Sequence, residues 1–227
     1  LTGDALPGDE RACELREKVK ELYDPVDHLL SYVIKVDGTF CLPESALYDP
    51  LVKKLTKDRF FETFQGRQGN KIMAVGRAKV LGNLLADEYN LEFILAVRER
   101  ELWIKRAPVF GEEIIQGGLE EELLYISKKK GKPPFRPRDG IIIFEDYARS
   151  GTTVGSMIEL IANSKPSPRL TGIITLLAYK EAIDRTCLRI RKYPKIVRGE
   201  VIVDSILVVE DDVVKRGKPI YVKVEEE

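Results

Sequence analysis

Glu145 and Asp146 stand side by side after an apolar run, Ile141 to Phe144, and Arg149-Ser150-Gly151-Thr152-Thr153 follows shortly after. The apolar run reads as a strand buried on both faces of a parallel sheet. The polar segment reads as a turn into an amphipathic helix that begins near Val154. In open α/β sheets ligands bind at the carboxyl ends of strands, and helix N-termini favour anions. The hydroxyls and backbone N–H groups of Ser150, Gly151, Thr152 and Thr153 therefore suit one phosphate. Ionised carboxylates only accept hydrogen bonds, so Glu145 and Asp146 suit sugar hydroxyls, or Mg²⁺ through water. A diol site beside a phosphate site describes a phosphosugar. The alternative use of the same residues is architectural: a strand that ends in acids, and a Ser or Thr that caps the next helix.

The elements that must position these groups are legible around them. Lys71 to Val75 reads as a strand, Gly76-Arg77-Ala78-Lys79 as a tight connection, Val80 to Tyr89 as a helix and Leu91 to Val97 as a second strand. This βαβ unit puts the small residue Gly76 where a ligand can approach the backbone closely. The connection from Arg98 to Arg138 is long enough to be a lid or a disordered segment. Within it, Glu112 to Gln116 suggests one strand of a hairpin and Leu119 to Ser127 has helical spacing. Lys128 to Arg138 is basic and rich in Pro and Gly, and is expected to be mobile. Beyond the signature helix come a turn at Ser164 to Pro168 and a buried strand at Leu170 to Ala178. Final strands are expected at Val201 to Val209 and Pro219 to Val224, joined by a turn at Arg216-Gly217. Upstream, helices are expected over Asp9 to Leu22, Val26 to Val33 and Asp49 to Phe64, with a short strand at Thr39 to Leu42. The single His28 falls in the second helix and reads as a structural residue.

The expected fold is α/β: a mainly parallel sheet flanked by helices, in a core over 66–227, with a long flexible loop at 99–138. A small helical or hood-like region over 1–65 precedes it. Lys plus Arg and Asp plus Glu are each 37, which gives no reason to expect a nucleic-acid or membrane-surface partner. No apolar run reaches transmembrane length and no signal-peptide pattern opens the chain. Cys13, Cys41 and Cys187 are widely spaced and match no metal pattern, which fits a reducing cytoplasm.

Glu145-Asp146-x-x-x-Ser-Gly-Thr-Thr after an apolar strand resembles the phosphoribosyl-pyrophosphate signature of type I phosphoribosyltransferases. The resemblance implies that Glu145 and Asp146 bind the ribose hydroxyls, with Mg²⁺ held through water. It implies that Arg149 to Thr153 hold the 5′-phosphate and that Val75, Gly76 and Arg77 form the pyrophosphate loop. Arg98 matches an Arg that follows the same strand in orotate enzymes, and Phe110-Gly111 to Gly117-Gly118 is similar to their flexible loop. Arg77, Arg98 and Lys105 are the expected catalytic cations, although the loop lacks the family's His. Lys180, or else Arg185, is the candidate for gripping the base. Arg149 departs from the family pattern: it either adds a contact to the 5′-phosphate, the favoured role, or pairs with Glu145 or Asp146 in the empty site. The implied activity is Mg²⁺-dependent transfer of phosphoribose from phosphoribosyl pyrophosphate to a nucleobase, nearest to the orotate branch, in a cytoplasmic homodimer. The alternative is a regulator that binds phosphoribosyl pyrophosphate or a nucleotide and has lost the chemistry.

Overall fold

A computed structural model describes residues 24–67, 69–98, 112–120, 122–129, 135–197 and 199–224. In chain order the first elements are α1 (Pro25–Ser31), β1 (Ile34–Val36), β2 (Thr39–Cys41), α2 (Pro50–Phe64), β3 (Lys71–Val75), α3 (Lys79–Glu88) and β4 (Glu92–Arg98). They are followed by β5 (Glu112–Leu119), β6 (Glu122–Lys129), β7 (Gly140–Ala148), α4 (Thr152–Asn163) and β8 (Arg169–Tyr179). The chain then forms α5 (Lys180–Arg191), β9 (Glu200–Glu210), β10 (Val213–Arg216) and β11 (Ile220–Lys223). The helix expected over Asp9 to Leu22 lies outside the described residues.

Burial on both faces sets the architecture. Along β7, Ile141 and Ile143 join the apolar cluster that contains Met157, Ile158 and Ile161 of α4. Ile142 and Phe144 join the opposite cluster, with Phe60 and Phe64 of α2 and Leu81 and Leu85 of α3. A run of alternating faces with no polar face can be satisfied only between two helical layers. The strands run in the order β10-β9-β8-β7-β3-β4-β6-β5, and β11 pairs with β9. The inner strands β4, β3, β7, β8 and β9 are parallel. The outer strands β5, β6, β10 and β11 are antiparallel. From β3 the chain moves outward to β4, and from β7 it moves the other way to β8 and β9. The switch point is therefore the β3–β7 pair, where the crevice for a ligand opens.

Four features differ from the sequence reading. The expected long loop at 99–138 contains a β-hairpin that widens the sheet. Its second arm is a strand, because Leu124 and Ile126 are buried at a spacing of two beside β4, with Arg98 opposite Leu124 and Ala96 opposite Ile126. Gly117-Gly118, expected at the end of a flexible loop, lies in β5, where a Cβ on Gly117 would come within 2.5 Å of Leu160 Cδ1. Helix α5 and strand β10 were not anticipated. α5 buries Ile183, Cys187 and Ile190 at helical spacing, and β10 returns along β9 through Asp211 and Asp212, both at positive φ. No helix among the described residues is long and apolar enough to cross a membrane. Cys41 and Cys187 are free.

The hood-like elements share their core with the sheet, since Leu29, Leu42, Leu47 and Val52 belong to the same cluster as Phe144. Polar ties fix their orientation. The buried Asp204 of β9 takes Arg59 of α2 in two hydrogen bonds, 2.7 and 2.8 Å, and a third from Thr63 at 2.8 Å. Asp49 caps α2, accepting from the backbone N–H groups of Leu51 and Val52 at 2.8 and 3.0 Å and from the Tyr32 hydroxyl at 2.9 Å. His28 Nε2 lies 3.1 Å from the same carboxylate, a structural position as expected. Burial pushes the Asp49 carboxyl up, but the bonds from Val52, His28, Tyr32 and Leu51 outweigh it and leave it below the ordinary value. A depressed carboxyl contributes stability above its unfolded pKa and loses it as pH falls through the folded one. Asp49→Ala should therefore destabilise the protein by about 1–2 kcal/mol near neutral pH. Thermal melts should show that difference shrinking as the buffer is acidified toward about pH 3.

Candidate functional site

At the switch point the carboxyl ends of β3 and β7 lie side by side, with Ala74 opposite Phe144. Glu145 and Asp146 follow at once on β7 and are buried, 5% and 2% exposed. From the neighbouring strand, Gly76 turns at φ 57° into a single 3₁₀ turn, Gly76–Ala78, and brings Arg77 back over the acids. Arg77 Nε lies 2.5 Å from Asp146 Oδ2. That contact has ion-pair distance but not hydrogen-bond alignment, since Asp146 Oδ2 has no hydrogen-bond partner among the described residues. Arg98, at the end of β4, pairs through Nε with Glu122 at the start of β6 and donates from Nη2 to Thr153 Oγ1 at 3.2 Å.

Beyond the acids, residues 147–154 wrap a pocket that Glu145 also lines. Gly151 is the N-cap of α4 at φ 76°, a left-handed conformation that strains any residue with a Cβ. A Cβ there would also lie 3.0 Å from the carbonyl oxygen of Ala182. Ser150 Oγ accepts from Thr152 N at 3.3 Å and contacts Thr152 Oγ1 at 2.9 Å, which fixes the turn. The N-cap supplies no side-chain hydrogen bond to α4. A helix start without a side-chain cap, wrapped by hydroxyls, has the chemistry of an anion cradle. Arg149 stands exposed in the same pocket wall and forms no ion pair among the described residues. The pairing with Asp146, the alternative role for Arg149, is made instead by Arg77.

The carboxylates carry the electrostatic tension of the site. Burial, followed by the charge of Asp146, pushes the Glu145 carboxyl well up, against the pull of Arg98 and Arg77. Burial also raises Asp146, outweighing the Arg77 guanidinium beside it. Glu145 Oε2 is buried without a hydrogen-bond partner among the described residues. An orphaned oxygen of this kind suits a hydroxyl donor or a water of a hydrated Mg²⁺, which proteins hold through one or two carboxylates and substrate phosphates. Glu145 and Asp146 are thus the residues that fit such an ion. The described residues contain no cluster of three or more His, Cys, Asp or Glu able to bind a metal by itself.

The structure brings together Val75, Gly76, Arg77, Arg98, Glu145, Asp146 and the 149–153 turn. Lys105 lies outside the described residues. Lys180 opens α5 beyond the end of β8, outside the pocket lining, and its Nζ is engaged by Asp184. Arg185 is exposed and lies 3.8 Å from Glu181. Two participants escaped the sequence reading. Glu122 holds Arg98 from the hairpin, and only tertiary pairing reveals it. Tyr147 lines the pocket and donates its hydroxyl to the Phe40 carbonyl of β2 at 2.8 Å. Tyr179 of β8 accepts from Phe40 N at 2.7 Å, so two core tyrosines hold the hood hairpin beside the pocket. Burial lifts the Tyr147 hydroxyl to about 12.

With this geometry the chain has the type I phosphoribosyltransferase fold: a βαβ half that carries the tight cationic turn, and a second half with an acidic pair running into a helix start. Solved adenine phosphoribosyltransferases are its structural neighbours. The Rhodothermus marinus enzyme superposes with a TM-score of 0.59 at 18% identity, covering 82% of this chain and 98% of its own. The Leishmania tarentolae enzyme gives 0.61 at 15% identity, with 85% and 90% covered. A Trypanosoma brucei enzyme, solved with AMP, pyrophosphate and ribose-5-phosphate, gives 0.58 at 16%, with 77% and 75% covered. No protein-family model matches the sequence, and no curated protein sequence matches it either.

Two outcomes follow from the site. A carboxyl raised on folding weakens the fold as pH rises above its unfolded pKa, so Glu145→Gln should increase thermal stability at about pH 8 and change it little at about pH 4. Calorimetric scans at both pH values check this. Arg149→Ala should weaken ribose 5-phosphate binding about tenfold, the loss of one charge-assisted hydrogen bond, without moving the melting temperature. Isothermal titration reads the first effect and a melt the second.

Proposed function

We propose that this protein transfers the phosphoribosyl group of phosphoribosyl pyrophosphate to a nucleobase nitrogen and releases pyrophosphate. The observation that carries the reading is the buried Glu145–Asp146 pair, with Arg77 on one side and the Gly151-led anion turn on the other. In this reading the 5′-phosphate rests on the turn from Arg149 to Thr153. The ribose hydroxyls donate to Glu145 and Asp146, filling the orphaned Glu145 oxygen. The base nitrogen attacks the anomeric carbon as the bond to pyrophosphate breaks. The protein supplies no covalent nucleophile; it positions the sugar and stabilises the departing charge with Arg77 and Arg98. Lys105 is assigned the same task. Mg²⁺, when bound, neutralises negative charge on the pyrophosphate.

For the base, we favour a purine over the orotate-like pyrimidine expected from the sequence. The solved neighbours are adenine enzymes. In addition, Lys180, the cation suited to an orotate carboxylate, is already paired with Asp184. A homodimer and a cytoplasmic location remain part of the proposal. A second reading, a phosphosugar-binding regulator without turnover, draws on Arg149 at the pocket wall and on the engagement of both Arg77 and Arg98 by carboxylates.

Incubation with phosphoribosyl pyrophosphate, Mg²⁺ and a panel of adenine, guanine, hypoxanthine, uracil and orotate, scored by pyrophosphate release, separates the readings. Release with a purine is the expected result. Tight binding of phosphoribosyl pyrophosphate without release for any base would leave the regulator. Asp146→Ala should abolish binding while the far-ultraviolet spectrum is unchanged.

A further inference from the structure

The opposite end of the sheet has its own chemistry. Three segments enter the adjacent parallel strands β7, β8 and β9 there, at 135–138, 164–168 and 191–197. Arg136, Arg138, Lys165, Arg191, Lys192 and Lys195 lie in them, all exposed. Arg169, half-buried, begins β8 at the same edge. Neighbouring strands lie about 4.8 Å apart, so the three segments form one continuous rim. The backbone ties it together, as Arg169 N donates to the Asp139 carbonyl at 2.8 Å.

Charge on this rim is one-sided. The described residues of the three segments contain no acid. Among the described residues, Asp139 beside them is engaged by Lys71, Glu200 by Arg67 and Glu159 by Arg189. The six exposed cations form no ion pair among the described residues. Cations at helix ends complement the helix dipole, which accounts for Arg191 and Lys192 at the end of α5. It does not account for Arg136, Arg138 or Lys195.

The rim is also stiff. Pro137 separates Arg136 from Arg138, Pro166 follows Lys165, Pro168 precedes Arg169, and Pro194 precedes Lys195. Proline fixes φ, so these cations sit on backbone that loses little freedom on binding. None of the large exposed apolar side chains among the described residues belongs to these segments. Tyr193 is half-buried, and its hydroxyl is raised to about 12 by burial and by its bond to Glu159. A rim without apolar wedges has nothing to insert into a bilayer, and one without an exposed aromatic offers no platform for unpaired bases. Exposed guanidinium and ammonium groups carried on neighbouring strand entries suit a row of phosphates.

We propose that this rim binds the phosphate backbone of duplex nucleic acid, without reading base sequence, on the face opposite the phosphosugar pocket. The neutral total of 37 cations and 37 acids gives no hint of the rim, because a total says nothing of placement.

Fluorescence anisotropy with the full chain and a labelled duplex of about 20 base pairs tests this, in DNA and RNA forms, across a salt series. Six phosphate contacts predict a loss of about a thousandfold in affinity between about 50 and 200 mM salt. Arg136→Gln/Arg138→Gln should weaken binding at least about tenfold and lower the salt slope by about two, and Lys195→Gln should lower it by about one. Scrambled sequences should bind equally, and ribose 5-phosphate affinity should stay unchanged, which also reports that the variants are folded. Absence of duplex binding at low salt, or binding indifferent to these substitutions, overturns the proposal. So does preferential binding to vesicles containing phosphatidylserine, or to an acidic peptide. The result does not depend on the transferase reading, because no step of it uses the pocket.

Discussion

Burying two adjacent carboxyl groups at the end of a strand is the constraint to which the rest of this structure answers. Each carboxylate removed from water loses hydration worth several kcal/mol, and two side by side repel. Arg77 offsets Asp146, and Arg98 acts on Glu145 from farther away while being held by Glu122. Glu145 receives the smaller compensation and keeps an orphaned oxygen. On the proposed function, hydroxyl donors or a hydrated cation would supply the partners that the chain omits. Stability is given up where function needs it.

The sheet order makes the compensation possible. Because the chain leaves β3 in one direction and β7 in the other, a crevice opens between their carboxyl ends. Arg77 and Asp146, far apart in sequence, meet there as strand neighbours. The antiparallel hairpin at the β4 edge carries Glu122 back to the same end of the sheet. It packs on α4 through the notch at Gly117 of β5, so the helix that presents the turn is braced by the same hairpin whose other strand, β6, holds Arg98 through Glu122. On the other face, Tyr147 and Tyr179 tie β2 to the ends of β7 and β8. A single residue, Tyr147, therefore belongs both to the pocket wall and to the tie with the hood.

The two ends of the parallel strands differ electrically for a related reason. At the carboxyl end, acids and cations are matched almost one for one in a buried space, where an unmatched charge is expensive. At the amino end the six rim cations are exposed, where water hydrates them and no partner is required. A chain with equal totals can thus hold a compensated interior site and an uncompensated rim, and only placement distinguishes them.

The signature from Gly140 to Ile161 determined its own local fold, since a buried strand, an acidic end, a left-handed glycine and a helix start are consecutive and depend on near neighbours. The βαβ unit at Lys71 to Arg98 and the cap at Asp49 were legible for the same reason. The strand at Glu122 to Lys129 was not: its apolar spacing fits a helix as readily, and pairing with β4 decided the matter by burying Leu124 and Ile126 on one face. Helix α5 carries a local stripe, Ile183, Cys187 and Ile190, at helical spacing, whereas β10 rests on a turn of two aspartates that needs the long β9 as its template. The sequence placed Arg77 and Arg98 at strand ends but not against Asp146 and Glu122. Side-chain partners across strands depend on sheet order and register, and these are set by burial summed over the whole chain rather than by any local pattern.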